Sequence, residues 1–310
     1  FHSIPVKGNL FAYLRSYRKG IRKVVKEVQP DVISVCDDGL KGFFVPSFIN
    51  TKAKIIYERH ASVNLNTGDS AKGKAIRQVM LSRVPKFSKF VVLTRSNIKE
   101  WNRPNVIAIP NPLSFTSQTG NRLNQKRIIM VGNHSLNKGT DLALKIWSEI
   151  QPQFPDWQLD VYGKIDENQT FVKMSQDMNL KNIHFHSPTG EIQKKYENSS
   201  VSILCSRSEG FGMVLIEAME CGVPCVSFDC PSGPGDIIRN GEDGFLIPPD
   251  DLKTFEEKLK LLMSDENIRK QMGKTAKQNV KRFSADEILK KWDELFSKLL
   301  NKGKSTEKIK

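Results

Sequence analysis

The sequence lacks the features that mark membrane-spanning, secreted and metal-binding chains. It has no apolar run approaching the roughly 18 residues that a transmembrane helix requires, so none is predicted. Its five cysteines are an odd number, and the spacing of Cys221, Cys225 and Cys230 fits no zinc pattern, with no histidine near them. No secretory-type signal precedes them. We therefore expect reduced cysteines, no bound metal and a cytoplasmic location.

Acidic residues are also scarce relative to basic ones. The 310 residues include 48 Lys plus Arg against 34 Asp plus Glu, a formal net charge of +14. This balance favours anionic partners, such as nucleic acid, an anionic membrane or a phosphorylated substrate, without choosing among them. Aromatic and basic residues are not interleaved and no nucleic-acid-binding module is recognisable, so we predict no nucleic-acid partner.

Short apolar runs alternate with amphipathic segments, which is typical of α/β proteins with parallel sheets. The predicted helices include one over 39–49 and a short one that Ser96 caps. The alternation stops in a polar stretch over 114–125 and then restarts, which predicts two doubly wound Rossmann-like domains facing across a cleft. The predicted organisation is an N-terminal acceptor-side domain over 1–115, a C-terminal donor domain over 116–284, a last helix over about 285–300 that packs back on the first domain, and a disordered basic tail over 301–310.

The segment 206–224 carries the most chemical information. A buried strand is predicted to end at Cys205, and Glu209 then leads into Gly210-Phe211-Gly212 and a helix that starts near Met213. The free N–H groups of a helix start bind anions, and carboxylates accept hydrogen bonds from sugar hydroxyls. Glu209 and Glu217 lie eight positions apart, about two helical turns, so both can face one ligand. From chemistry alone, a capped helix with two solvated carboxylates is the alternative.

This segment resembles the donor-site signature of the retaining family 4 glycosyltransferases, which have the GT-B fold. The matching residues are Glu209 with Gly210-Phe211-Gly212, then Glu217-Ala218-Met219 and Gly222-Val223-Pro224. The run from Cys230 to Ile238 matches as well, except that Asp236 replaces the usual Glu. The resemblance covers about Asp31 to Arg282 and is of the bacterial surface-polysaccharide type.

The resemblance implies a role for each matching residue. Glu209 would hold the hydroxyls of the donor sugar, Glu217 the ribose, and Lys138 would neutralise the diphosphate. The backbone near Thr189 would meet the base, and His60 would lie near the reaction centre. The implied catalytic residues are Glu209, His60 and Lys138, and the implied donor-binding residues are Gly132, Asn133, Lys138, Thr189, Glu209, Gly210, Phe211, Gly212, Met213, Val214, Leu215 and Glu217.

Two departures from the family pattern stand out. The family has an Arg just after the glycine that corresponds to Gly132, whereas this chain has Asn133-His134, so one positive charge is missing unless His134 or another residue supplies it. The family's first strand and Gly-rich loop are not recognisable before Asp31, and the chain begins with Phe1 and not Met. We therefore expect the first domain to be N-terminally truncated.

The resemblance implies transfer of a hexosyl unit from a nucleotide diphosphate sugar, with UDP favoured, to a glycan or lipid-linked glycan acceptor with retention of anomeric configuration. No DxD motif follows a strand, so no metal cofactor is expected. The alternatives are a GT-B sugar-nucleotide epimerase or phosphorylase, or an inactive truncated glycosyltransferase.

The basic helices predicted near residues 10–28 and 72–81 suggest a surface for the anionic inner face of the cytoplasmic membrane, as in surface-polysaccharide or lipopolysaccharide synthesis. A solvated face opposite an ordinary core face is the alternative.

Overall fold

The computed structural model describes residue 4 and residues 9–63, 70–118 and 122–304. The described residues divide into two compact units: those up to Pro110 together with those from Leu289 onward form one, and those from Asn111 to Ile288 form the other. The division falls a few residues before the predicted one at 115. Within the described ranges, no helix combines the length and apolar character needed to cross a membrane.

The first unit contains a four-stranded parallel sheet in the order β1-β2-β3-β4. Its strands lie in sequence order, and an aromatic cluster fills the core beside them, with the rings of Tyr57 and Phe90 stacked 5.0 Å apart. The strands are β1 (Val32–Cys36), β2 (Lys54–Arg59), β3 (Lys89–Val92) and β4 (Val106–Ala108), and the helices are α1 (Leu10–Val28), α2 (Val45–Phe48), α3 (Ala71–Arg83) and α4 (Arg95–Trp101).

Two local predictions in this unit need correction. A continuous helix was expected over 39–49, but the segment forms a 3-10 turn over Lys41–Phe44 followed by the short α2. The carboxylate of Asp37 accepts hydrogen bonds from the amides of Gly39 and Gly42, which favours a tight turn there. Thr94, and not Ser96, caps α4, because its hydroxyl accepts from the Asn97 amide at 3.1 Å.

The second unit contains a six-stranded parallel sheet in the order β10-β9-β8-β5-β6-β7. The chain runs from β5 to β7 on one side and then returns to β8 on the other, so β5 and β8 are neighbours at the point of reversal. Ligands of doubly wound sheets bind outside the carboxyl ends of the strands at this point. The strands are β5 (Arg127–Val131), β6 (Gln158–Tyr162), β7 (Ile183–His186), β8 (Val201–Leu204), β9 (Cys225–Phe228) and β10 (Gly244–Ile247).

Helices cover the sheet of the second unit. The helices are α5 (Thr140–Ile150), α6 (Thr170–Asp177), α7 (Ile192–Glu197), α8 (Met213–Glu220), α9 (Pro234–Ile237), α10 (Leu252–Ser264) and α11 (Glu266–Asn279). A core of apolar side chains lies between the sheet and the helices α5 and α10. The largest side chains of this core are Trp147, Trp157, Phe228, Phe245 and Phe255. The four-residue α9 was not predicted.

The last helix, α12 (Ala285–Lys304), continues four residues past its predicted end at Leu300. The predicted disorder of the tail is therefore wrong for 301–304, and 305–310 lie outside the described residues. From Leu289 onward the helix belongs to the first compact unit.

Candidate functional site

The carboxyl ends of β5 and β8 bring together two loops that are far apart in the sequence. The amide of Arg207 donates to the Asn137 carbonyl at 2.8 Å, and the Asn137 side chain donates to the Ser208 carbonyl at 3.3 Å. Gly139 has a φ of +68°, and a Cβ there would lie 1.9 Å from the Cys205 carbonyl oxygen. Only glycine fits so close to the neighbouring backbone, so Gly139 allows the two loops to touch.

These loops place the predicted residues Lys138 and Glu209 in direct contact. The Lys138 Nζ lies 2.6 Å from Glu209 Oε1, which also accepts a hydrogen bond from the Ser206 hydroxyl at 2.6 Å. The Glu209 side chain is 9% exposed and that of Lys138 is 29% exposed. A partly buried ammonium and carboxylate therefore stand side by side at the point where the sheet reverses.

A second ion pair at the same loops was not predicted from the sequence. The guanidinium of Arg207 binds the Asp141 carboxylate through two hydrogen bonds of 2.8 and 2.7 Å, and it also donates to the Leu136 carbonyl. Burial acts to raise the pKa of Asp141, but the hydrogen bonds and charge of Arg207 outweigh it, and the pKa is lowered. An acidic residue in the first turn of a helix, Asp141 in α5, was the sequence feature that could have indicated this site. Its partner Arg207 could not be predicted in the same way, because the contact depends on which strands are neighbours in the sheet.

Helix α8 begins shortly after Glu209 in the chain, and no side chain caps its N-terminus. Its N-cap residue, Gly212, has a φ of +98°, a conformation that favours glycine. The Leu215 amide donates to the Gly212 carbonyl at 2.9 Å, so this predicted donor-binding amide already has a partner. The ring of Phe211 is buried and packs edge-on against Phe283, so the backbone of Phe211 and not its ring is the part suited to a ligand. The half-buried Met213 and Val214 begin the helix.

Glu217 lies farther along α8 and is held by two hydroxyl groups. Its Oε1 accepts from the Ser114 hydroxyl at 2.8 Å and its Oε2 from the Tyr196 hydroxyl at 3.4 Å. Burial raises the pKa of Glu217, and the two hydroxyls offset only part of that effect. Neither Ser114 nor Tyr196 was singled out in the sequence. The arrangement leaves a carboxylate that can exchange one hydroxyl partner for another.

His134, in the loop after β5, does not supply the positive charge of the Arg that the family pattern has after Gly132. Its ring is buried against Phe185, and burial lowers the pKa of His134, so the imidazole is neutral near pH 7. Asn133 is exposed. The Gly132 amide donates to the Tyr162 carbonyl at 2.9 Å, and a Cβ at Gly132 would meet the Lys138 side chain at 3.4 Å.

Thr189 follows β7. Its hydroxyl accepts from the Glu191 amide at 3.1 Å, which shapes the turn that leads into α7. The side chain is half-buried. Within the part of the chain that the structure describes, no hydrogen bond joins Thr189 to Lys138 or Glu209, so its role near the base stays a prediction.

His60 belongs to the first unit, directly after β2. The guanidinium of Arg59 is buried and donates to the carbonyls of Ala61 and Ser62, while the His60 amide donates to Asp38 Oδ1 at 3.0 Å. The His60 Nε2 lies 3.7 Å from Glu58 Oε2, and this interaction raises the pKa of His60. A positioned imidazole that is partly exposed therefore sits at the carboxyl end of β2.

Comparison with known proteins identifies similar chains. Residues 114–279 match the family model described as glycosyl transferases group 1. An exopolysaccharide phosphotransferase of Streptomyces coelicolor is 28% identical over 91% of this chain, but the match spans only 30% of that protein. A Campylobacter jejuni enzyme, named as an N-acetyl-D-galactosaminyltransferase that acts on a diNAcBac-PP-undecaprenol-linked glycan, is 25% identical over 91% of this chain and 78% of its own length.

A solved structure shares the fold. A variant of Staphylococcus aureus TarM, in complex with fondaparinux, alpha-GlcNAc-glycerol and UDP, superimposes with a TM-score of 0.76 at 22% identity. The match covers 90% of this chain and 58% of the TarM chain. The fold is therefore the GT-B class of α/β proteins with two Rossmann-like parts, as predicted.

Proposed function

The chain belongs to the glycosyl transferases group 1 family, and from this premise we propose that it transfers a hexosyl unit from a nucleotide diphosphate sugar to a glycan or lipid-linked glycan. The UDP bound by TarM favours a UDP-sugar donor. The undecaprenol-linked acceptor in the name of the Campylobacter relative favours a lipid-linked glycan.

The observation that carries this proposal is the contact between Lys138 and Glu209 beside the uncapped start of α8. A lysine ammonium and a helix N-terminus both stabilise negative charge, and such charge develops on the leaving nucleoside diphosphate as the glycosidic bond breaks. Glu209 can accept hydrogen bonds from the hydroxyls of the donor sugar. The ion pair would then serve both halves of the donor: Lys138 the diphosphate and Glu209 the sugar.

We propose that Glu217 binds the ribose hydroxyls. Its carboxylate already accepts hydrogen bonds from the hydroxyls of Ser114 and Tyr196, so ribose hydroxyls can take over the same acceptor sites. The exchange preserves the hydrogen bonds of a half-buried carboxylate, whose burial without a partner would be costly.

We propose transfer with retention of anomeric configuration, with no protein nucleophile and no metal cofactor. The bond from the anomeric carbon to the diphosphate oxygen breaks, the acceptor oxygen bonds to that carbon on the same face, and the acceptor proton passes to the departing phosphate oxygen. Lys138 would stabilise the charge on the phosphate that a metal ion stabilises in other transferases. His60 is proposed as a further catalytic residue.

We also propose that the first unit docks on an anionic membrane surface. Helix α1 packs Tyr17, Ile21 and Val25 against the core and exposes its basic side. Basic side chains near an anionic membrane contribute on the order of 1 kcal/mol each. The exposed basic residues are Arg15, Arg18, Lys19, Arg22, Lys23 and Lys26.

The test of the proposed function is a donor screen followed by a product assay. UDP-, GDP- and ADP-sugars are tested by thermal shift, because a bound donor raises the unfolding temperature by mass action. The stabilising donor is then incubated with glycan and undecaprenyl-linked glycan acceptors, with and without EDTA. A product that keeps the anomeric configuration of the donor sugar is expected in both conditions. Phosphorolysis of the glycan when inorganic phosphate is supplied, epimerisation of the donor without transfer, or activity that EDTA abolishes and Mg²⁺ restores would overturn the corresponding part of the proposal.

A further inference from the structure

Three side chains with metal-binding atoms converge at the carboxyl ends of β1 and β2 in the first unit. Cys36 and Glu58 are direct partners in the parallel register of these strands, which places their side chains next to each other on one face. His60 follows Glu58 by two residues. One ligand atom from each of the three lies within 4.8 Å of the other two.

The donor set, and the distance between two of its three ligand atoms, suit a borderline-soft divalent cation. Tetrahedral zinc with bonds of about 2.0–2.3 Å requires its ligand atoms to be roughly 3.3–3.7 Å apart. The distance of 3.7 Å between His60 Nε2 and Glu58 Oε2 is close to that range and too long for a hydrogen bond. A thiolate, an imidazole and a carboxylate together favour Zn²⁺ over Mg²⁺ or Ca²⁺, which prefer oxygen ligands alone.

The surroundings orient these ligands and attract a cation. The Ser34 hydroxyl donates to Glu58 Oε1, which leaves Oε2 on the side of His60. Hydrogen bonds of this kind fix ligating carboxylates in metal sites. Cys36 is exposed, whereas the other four cysteines of the chain are buried. A metal ion can therefore reach this thiol from solvent. The negative charges of Glu58, Asp38 and Asp37 lie close enough to act on the thiol, and they would attract a cation.

We propose that Cys36, Glu58 and His60 bind one Zn²⁺ ion per chain, with a water molecule as the fourth ligand. The Cys36 thiol loses its proton to solvent on binding, as zinc ligation by cysteine requires. This site is distinct from the proposed donor site, which lies in the second unit and uses no metal.

The first experiment measures protection of the exposed thiol in the full chain. Alkylation of Cys36 by iodoacetamide, followed by mass spectrometry, should slow about tenfold or more in saturating ZnCl₂, should recover on addition of EDTA, and should not change in MgCl₂. Unchanged alkylation in ZnCl₂ would overturn the proposal. Co²⁺ offers a readout on the unmodified sequence, because a thiolate ligand produces a charge-transfer absorption band; a spectrum without that band would also refute the site.

Variants separate a three-ligand site from a lone thiol that binds zinc. Glu58→Ala and His60→Ala should each abolish the zinc protection of Cys36, while His184→Ala, which removes an exposed histidine of the second unit, should keep it. Ser34→Ala should weaken zinc binding about 10- to 100-fold, as loss of a hydrogen bond to a metal ligand does in other sites. Full protection in both the Glu58 and the His60 variants would show binding by the thiol alone and would contradict the proposal.

One consequence rests on the proposed function. If His60 takes part in transfer, zinc bound to its imidazole should inhibit the reaction, and Cys36→Ser should make transfer insensitive to zinc. Zinc protection of Cys36 without inhibition would leave the metal site intact and contradict the role of His60. Inhibition without protection would contradict the metal site.

Discussion

The ion pair between Lys138 and Glu209 leads to opposite expectations for its two partners. The ammonium of Lys138 donates a hydrogen bond to the Glu209 carboxylate at 2.6 Å. A diphosphate that binds Lys138 must therefore compete with that carboxylate. Lys138→Ala should weaken binding of UDP, whereas Glu209→Gln should strengthen it, and both variants should slow sugar transfer.

The magnitudes follow from the burial of the pair. In Glu209→Gln, removal of a carboxylate that repels the diphosphate is worth up to about 3 kcal/mol for unit charges roughly 5–6 Å apart at an effective dielectric constant of ~20, which is up to about 10²-fold in the Kd of UDP. In Lys138→Ala, loss of a positive charge at the leaving group should lower kcat about 10²- to 10³-fold. The same variant removes the ammonium from Glu209, whose side chain is 9% exposed and keeps a hydrogen bond from the Ser206 hydroxyl. Loss of this partner should lower the free energy of unfolding by about 2 kcal/mol.

UDP is the ligand of choice because it lacks the sugar that Glu209 is proposed to hold. Isothermal titration calorimetry gives its Kd for both variants, and thermal unfolding checks that they fold. Asn137→Ala is the matched control, because Asn137 joins the same two loops through an uncharged hydrogen bond to the Ser208 carbonyl. It should leave the Kd of UDP nearly unchanged. Weaker UDP binding in Glu209→Gln, or equal UDP affinity in all the variants, would refute the reasoning.

Three further predictions concern other charged groups. Burial raises the pKa of Glu217 above its ordinary 4.5, so ionisation of this carboxyl costs more in the folded chain than in the unfolded chain. The free energy of unfolding of the wild type, relative to Glu217→Gln, should therefore fall as pH rises from about 4.5 through the raised pKa. Denaturant unfolding at a series of pH values measures this difference. NMR titration should place the pKa of His60 above its ordinary 6.5 and lower in Glu58→Gln, and an equal pKa in both would contradict the assigned contact. The chain should co-sediment with anionic liposomes but not with neutral ones, and the bound fraction should fall as the salt concentration rises. Charge reversal on α1 should abolish this binding. Failure to bind either kind of liposome would show that the basic side of α1 is only a solvated face. The reversed residues are Arg15, Arg18, Arg22 and Lys26.

The sequence alone determined those features that depend on local spacing. Helix α1 was predicted over its observed range, Leu10–Val28, because apolar residues recur at helical intervals. The alternation of strands and helices predicted two α/β parts with parallel sheets, since short apolar strands must be joined by crossovers. Glu209, Gly212 and Glu217 were predicted as one group because they lie on, or just before, a single helix. These relations hold within one element, so neighbouring residues suffice to specify them.

Tertiary structure decided which of these groups meet. Lys138 and Glu209 lie 71 residues apart and touch because β5 and β8 are neighbours where the sheet reverses, and Ser114 reaches Glu217 across 103 residues. The sequence gives no direct sign of that strand order, since it depends on how the helices pack on both faces of the sheet. The pairing of Cys36 with Glu58 likewise depends on the register between β1 and β2, because a shift of one residue would turn one side chain to the opposite face.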